Sequence, residues 1–116
     1  MPMCSRHHWG TDLDLNSLEN SYFSSGKGLK IYEWLTKHAP DYGFCQVYTN
    51  KKINNRTGYE EEKWHWSYMP IARQNLMRYN KTVKITDIKG FLGWETASEV
   101  NIIEAYVNGI QDCSEM

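Results

Sequence analysis

Most of the features that assign a chain to a class at sight are missing here. No run of apolar residues approaches the roughly 20 needed to cross a bilayer, so no membrane span is expected. The opening residues, MPMCSRHHWG, lack the apolar stretch of a signal peptide. Net charge is only −1, which supplies neither the basic footprint of a nucleic-acid binder nor a polybasic membrane anchor. Cysteine is scarce: Cys4, Cys45 and Cys113 form no CxxC pair. Three reduced thiols are the expectation, with one disulfide and a free thiol as the alternative. Internal repeats, low-complexity tracts and interdomain linkers are also absent.

What remains is one domain's worth of chain, 116 residues, with 41% hydrophobic and 23% charged residues. That balance folds into a globule with a modest core. Aromatics are abundant: five Trp, eight Tyr and three Phe. In so small a domain they serve first to fill the core and second to line a cleft.

Periodicity gives the elements. TDLDLN, residues 11–16, alternates strictly, with Thr11, Leu13 and Leu15 on one face and Asp12, Asp14 and Asn16 on the other. This predicts a strand with one buried apolar face and one acidic face. Ser/Asn-rich residues 17–25 read as a loop. A helix is expected from about Lys27 to His38, its apolar side formed by Leu29, Tyr32, Leu35 and Ala39, with Pro40 and Gly43 ending it. Residues 44–49 read as a strand, and polar residues 50–61 as a loop or hairpin connection. KWHWSY, residues 63–68, reads as a strand with Trp64, Trp66 and Tyr68 opposite His65 and Ser67. Pro70 suits a helix first turn, and residues 71–80 continue it. Thr86 or Asp87 would cap a brief turn. A last helix is expected from about Thr96, burying Ala97, Val100, Ile103 and Val107, with Gly109 past its end. The fold class is α+β: a small antiparallel sheet with helices packed on it.

Chemistry concentrates in two short stretches. In SRHHWGTDLDL, residues 5–15, His7 and Asp14 flank a turn at Gly10. A catalytic zinc takes three protein ligands and keeps one position open. The third would be a histidine on a neighbouring strand, and EEKWHW supplies His65. Glu62, three residues upstream, has the chemistry of a general base for a metal-activated water. In an ideal strand Glu62 and His65 point to opposite faces, so the segment must bend or begin its strand after Glu62. Each feature alone reads more simply as a structural histidine or a solvated acidic face. It is their conjunction that points to a metal.

These residues also carry a resemblance. SRHHWGTDLD resembles the S-x-H-x-x-G-x-x-x-D motif of the VanY-type D-alanyl-D-alanine carboxypeptidases, and EKWH resembles their E-x-W-H motif. That zinc peptidase family is related to the vancomycin-resistance D,D-dipeptidases and the hedgehog signalling domain. The intervening GLKIYEWLTKHAPDYGFCQVYT resembles the family's connecting helix and strand. The likeness spans roughly residues 5–70, a zinc peptidase core, and residues 71–116 would be a helical C-terminal extension of the same single domain.

The resemblance implies that His7, Asp14 and His65 hold Zn2+ and that Glu62 is the catalytic base. It implies supporting or substrate-facing roles for Ser5, His8, Asp12 and Trp64. Asp12 stands where the family usually has a small residue, which makes it a second candidate ligand, although the motif spacing favours Asp14. The family carries an upstream segment with a substrate-clamping arginine, so the N-terminal part of the family domain is expected to be missing here. An absent strand would leave an unpaired sheet edge, inviting homodimerisation.

The implied function is hydrolysis of a peptidoglycan stem peptide at its D-Ala-D-Ala terminus, in the periplasm or cell envelope. No nucleic-acid partner is expected. The alternatives are a zinc-binding interaction domain without turnover and an aromatic-rich module without metal.

Overall fold

A computed structural model describes residues 1–114. A short 3-10 helix, Arg6–Trp9, leads into strand β1, Asp12–Asp14, and a second 3-10 turn, Asn20–Ser24, precedes helix α1, Gly26–His38. Strand β2, Phe44–Gln46, and the single-turn helix α2, Lys51–Asn54, lead to strand β3, His65–Tyr68, and helix α3, Met69–Thr82. The chain closes with helix α4, Thr96–Glu99, and a π-helical segment, Ile102–Val107. The sheet has the order β1-β3-β2 and is antiparallel throughout. This is the α+β architecture expected. No helix among the described residues is long and apolar enough to cross a membrane.

The two long helices follow their sequence periods. α1 turns Leu29, Tyr32 and Leu35 toward the body of the protein, each partly buried, and the 3-10 turn that follows, Ala39–Tyr42, buries Ala39 and is closed by Gly43. α3 begins with Pro70 in its first turn and buries Ala72 and Tyr79. Gly28 is required where α1 crosses the Asn20–Ser24 turn, because a Cβ there would fall on the carbonyl oxygen of Tyr22. Asp87 accepts from the Lys84 backbone N–H at 2.8 Å and closes the brief turn Ile85–Asp87, as expected for that residue.

The C-terminal helix does not form as expected. α4 stops after one turn, Asn101 adopts a left-handed conformation (φ 54°), and the chain resumes as the π-helical segment. The break shifts the buried set to Ala97, Ile102 and Val107 and leaves Val100 exposed. These residues pack with Cys4, Tyr79 and Ile88 into one core cluster.

A second cluster gathers Cys45, Val47, Tyr48, Met69, Ala72 and Cys113. Here the expectation of three reduced cysteines is corrected. Cys45 and Cys113 form a disulfide, while Cys4 is free and buried. Sequence separation concealed the pair, because it is the return of the C-terminal segment to β2 that brings them together. That return is made by Gln111 donating its N–H to the carbonyl of Val47 at 2.7 Å, and by Arg73 donating to the carbonyl of Cys113. The bridge spans 68 residues of sequence. Closing a loop of that length removes at most about 4 kcal/mol of unfolded-chain entropy. Cys113→Ser is therefore expected to lower unfolding free energy by up to about 4 kcal/mol in a urea titration. Reduction of the native chain should produce the same loss, and reduction of the variant none.

The two faces of β1 are also not covered as expected. Alternation places Asp12 and Asp14 on one side and Leu13 on the other, but Asp12 is 7% exposed and Leu13 is 47% exposed. The acidic face is roofed at Asp12 by Arg6. The apolar face opens instead into a groove of about 300 Å³ between Leu13, Leu15, Trp66 and the α1 residues Trp34 and Leu35. Aromatics accordingly serve both uses: Phe23, Tyr48 and Trp66 are buried, while Trp34 and Tyr42 remain substantially exposed.

Candidate metal centre

Two local devices bring the sequence-predicted residues together. The first is the 3-10 turn. The Ser5 hydroxyl accepts the N–H of His7 at 3.3 Å, and Gly10, at φ 71°, returns its N–H to the carbonyl of His7 at 3.2 Å. A left-handed residue at this point favours glycine. The reversal sends Arg6 inward, keeps His7 at the rim, and starts β1 back alongside His7.

The second device precedes β3. Glu62 and His65 would face opposite ways in a continuous strand, but β3 starts only at His65. Lys63 and Trp64 form a turn, closed by the His65 N–H donating to the Glu62 carbonyl at 3.2 Å. The Glu62 side chain thereby returns to the His65 side. β3 then sets His65 directly opposite Asp14 in the antiparallel register.

His7 Nε2 lies 3.3 Å from Asp14 Oδ1, and His65 Nδ1 lies 3.8 Å from the same oxygen. One donor atom from each of His7, Asp14 and His65 falls within 4.8 Å of the others. Ligands bound tetrahedrally to zinc at 2.0–2.1 Å sit ~3.4 Å apart. The donor set therefore fits: two imidazole nitrogens and a carboxylate oxygen, with small contraction needed. Glu62 Oε1 is 3.3 Å from His65 Nδ1, beside the three donors and not behind them.

Asp12 occupies a different place from Asp14. Its Oδ2 accepts from Arg6 Nε at 3.0 Å and pairs with His65 Nε2 at 2.7 Å. Its Oδ1 accepts from the Thr11 hydroxyl at 2.7 Å and the Ser67 hydroxyl at 2.8 Å. A carboxylate offers about four acceptor positions, and all are taken. Asp12 is thus placed in the supporting position, one of the roles the resemblance implied for it, and Asp14 is the aspartate whose carboxylate lies beside His7 Nε2. Burial alone would raise its pKa, but the His65 hydrogen bond, the Arg6 charge and the two hydroxyls together lower it to about 2. Burial alone would lower the pKa of His65, yet its bonds to Asp12 and Glu62 raise it.

A polar cleft of about 140 Å³ opens onto this cluster, lined by Ser5, His7, Glu62 and His65, with Tyr48 and Tyr59 as walls. The Tyr48 ring meets that of His65 edge-on, 4.8 Å between centroids, and Tyr59 backs Tyr48 at 5.3 Å. Burial pushes the Tyr48 hydroxyl up, so it stays protonated at neutral pH. Sequence reasoning did not select Tyr48, Tyr59 or the buried Arg6. Only the position of Tyr48 at the end of a predicted strand could have hinted at a wall. His8 is exposed on the 3-10 turn, and Trp64 is absent from the cleft lining. Trp64 instead offers its carbonyl to the Leu15 N–H at 3.0 Å. His65 lines the cleft although it is only 2% exposed.

A family model described as VanY, D-alanyl-D-alanine carboxypeptidase, matches residues 1–71, the span that contains every residue of the cleft. An uncharacterized protein of Haemophilus influenzae is 32% identical over 80 residues, covering 59% of this chain and 60% of the relative. The match thus spans less than two thirds of that relative's length. No solved structure matches the chain.

Proposed function

Because the chain belongs to the VanY family of D-alanyl-D-alanine carboxypeptidases, we propose that it is a zinc-dependent peptidase of peptidoglycan stem peptides, acting at a D-Ala-D-Ala terminus. The observation that carries the reading is the meeting of His7, Asp14 and His65 within 4.8 Å, with Glu62 beside them. Those three residues would hold the metal. A zinc ion held there would supply the chemistry of a Lewis acid, a water of lowered pKa and a polarised scissile carbonyl.

The chain's own residues do the rest. Glu62 takes the proton from the attacking water and returns it to the leaving amine, a role that suits a carboxylate 22% exposed at the edge of the cleft. Ser5 holds the turn that presents His7. Tyr48 and Tyr59 narrow the entrance and limit what lies against the metal-facing wall. The substrate lies outside the cytoplasmic membrane, so the periplasm or cell envelope is the place of action.

A second reading, zinc binding without turnover, draws on one observation. Arg6 is the only lysine or arginine among the described residues that line the cleft, and its guanidinium spends Nε on Asp12 and Nη2 on Ser67, leaving only the buried Nη1 without a partner. A terminal carboxylate finds in this wall only that buried Nη1 edge, not an exposed cation. The experiment is incubation of the zinc-loaded chain with a stem pentapeptide ending in D-Ala-D-Ala. Release of free D-alanine is the expected outcome. Release of the dipeptide would move the cleavage site by one bond. Zinc uptake with no product would favour the binding-domain reading.

A further inference from the structure

Asp12 touches both histidines of the candidate centre, and by different groups. Its backbone carbonyl lies 3.2 Å from His7 Nδ1, and its carboxylate Oδ2 lies 2.7 Å from His65 Nε2. In each ring the nitrogen that meets Asp12 is the one turned away from Asp14. His7 keeps Nε2 and His65 keeps Nδ1 for the cluster. We propose that Asp12 is the positioning residue of the metal centre, fixing the tautomer and orientation of both imidazoles while being held out of the ligand set itself. The proposal rests on the metallopeptidase reading above.

The physical argument has three parts. A metal-bound imidazole is a better and more rigid ligand when its second nitrogen donates to a carboxylate or carbonyl, because the acceptor fixes the ring and raises its basicity. Here one residue provides both acceptors, so the two rings are set relative to each other by a single rigid unit. The unit is rigid because the Asp12 carboxylate is saturated. Arg6 and His65 share Oδ2, and Thr11 and Ser67 share Oδ1. Arg6 also donates from Nη2 to the Ser67 hydroxyl at 2.9 Å, closing a ring of bonds across β1 and β3. Finally, the Arg6 guanidinium is buried with Asp12 and balances its charge. A buried carboxylate without that partner would compete for the cation it is meant to sit behind.

The test is zinc affinity, measured by competition with a chromophoric chelator on the folded 116-residue chain. Asp12→Asn is expected to weaken zinc binding by about 10- to 100-fold. Ser67→Ala, which removes one hydrogen bond to Oδ1 and leaves Asp12 and His65 in place, is expected to weaken it by a few-fold only, and guards against misfolding of the first variant. The wild-type zinc form should show a slowly exchanging imidazole N–H proton by NMR for His65, and Asp12→Asn should lose it. If both variants bind zinc as tightly as the wild type and lose only melting temperature, Asp12 is merely structural and the proposal fails. If the wild-type chain itself takes up no zinc, the metallopeptidase reading fails first, and the proposal with it.

Discussion

Replacing Glu62 with Gln is expected to leave about one zinc per chain while lowering kcat on a stem peptide by about 10²- to 10⁴-fold. The two effects separate because Glu62 uses different atoms for structure and for chemistry. Its backbone carbonyl accepts from the His65 N–H and from Gln46 Nε2, and its N–H donates to the Tyr48 carbonyl. None of these involves the side chain. The carboxylate contacts His65 Nδ1 at 3.3 Å and otherwise faces the cleft. Glutamine keeps the shape and the backbone bonds but cannot take a proton from water. The measurement is metal content by elemental analysis alongside kcat and KM. Activity within tenfold of the wild type would remove Glu62 from the role of base.

His65→Ala should abolish zinc uptake. With zinc at 100-fold over its dissociation constant, the native chain gains about 2.7 kcal/mol from the metal, and the variant should gain none. His65 is almost fully buried, so the variant also loses packing in the metal-free state. It does not strand a charge, because Asp12 keeps Arg6, Thr11 and Ser67. His7→Ala supplies the control. His7 sits at the surface and its side chain is 39% exposed. It should lose zinc equally while the metal-free melting temperature changes little. Thermal melts with and without zinc distinguish the two contributions. A variant at either histidine that still melts higher with zinc would mean that the ion binds elsewhere.

That His7, Asp14 and His65 would meet was legible because their chemistry is written in type and spacing. His7 and Asp14 flank a glycine that must turn the chain, and His65 follows Glu62 at an interval that a strand alone could not use. The structure resolves that conflict by starting β3 at His65, which is a statement about where a turn ends. α1 and α3 were legible for a similar reason: their apolar residues recur at a helical period over three turns or more, and Pro40 and Pro70 mark an end and a beginning.

Other features depended on contacts between residues far apart. Alternation established that Asp12 and Asp14 share a face of β1, but not which face would be covered. Arg6 covers the Asp12 side with its guanidinium, while the Leu13 side opens into the groove beside Trp34 and Leu35. The Cys45–Cys113 bridge required the last described residues to return to β2, which no spacing announces. The break at Asn101 overrode a good helical pattern because the segment packs against Cys4, Tyr79 and Ile88. The sequence by itself determined the donor types, their order along the chain and the helices between them. Only the tertiary structure decided that Asp12 stands behind both histidines instead of beside Asp14, because a side chain's role in a buried network is set by its partners, and those partners come from two stretches of chain more than 50 residues apart.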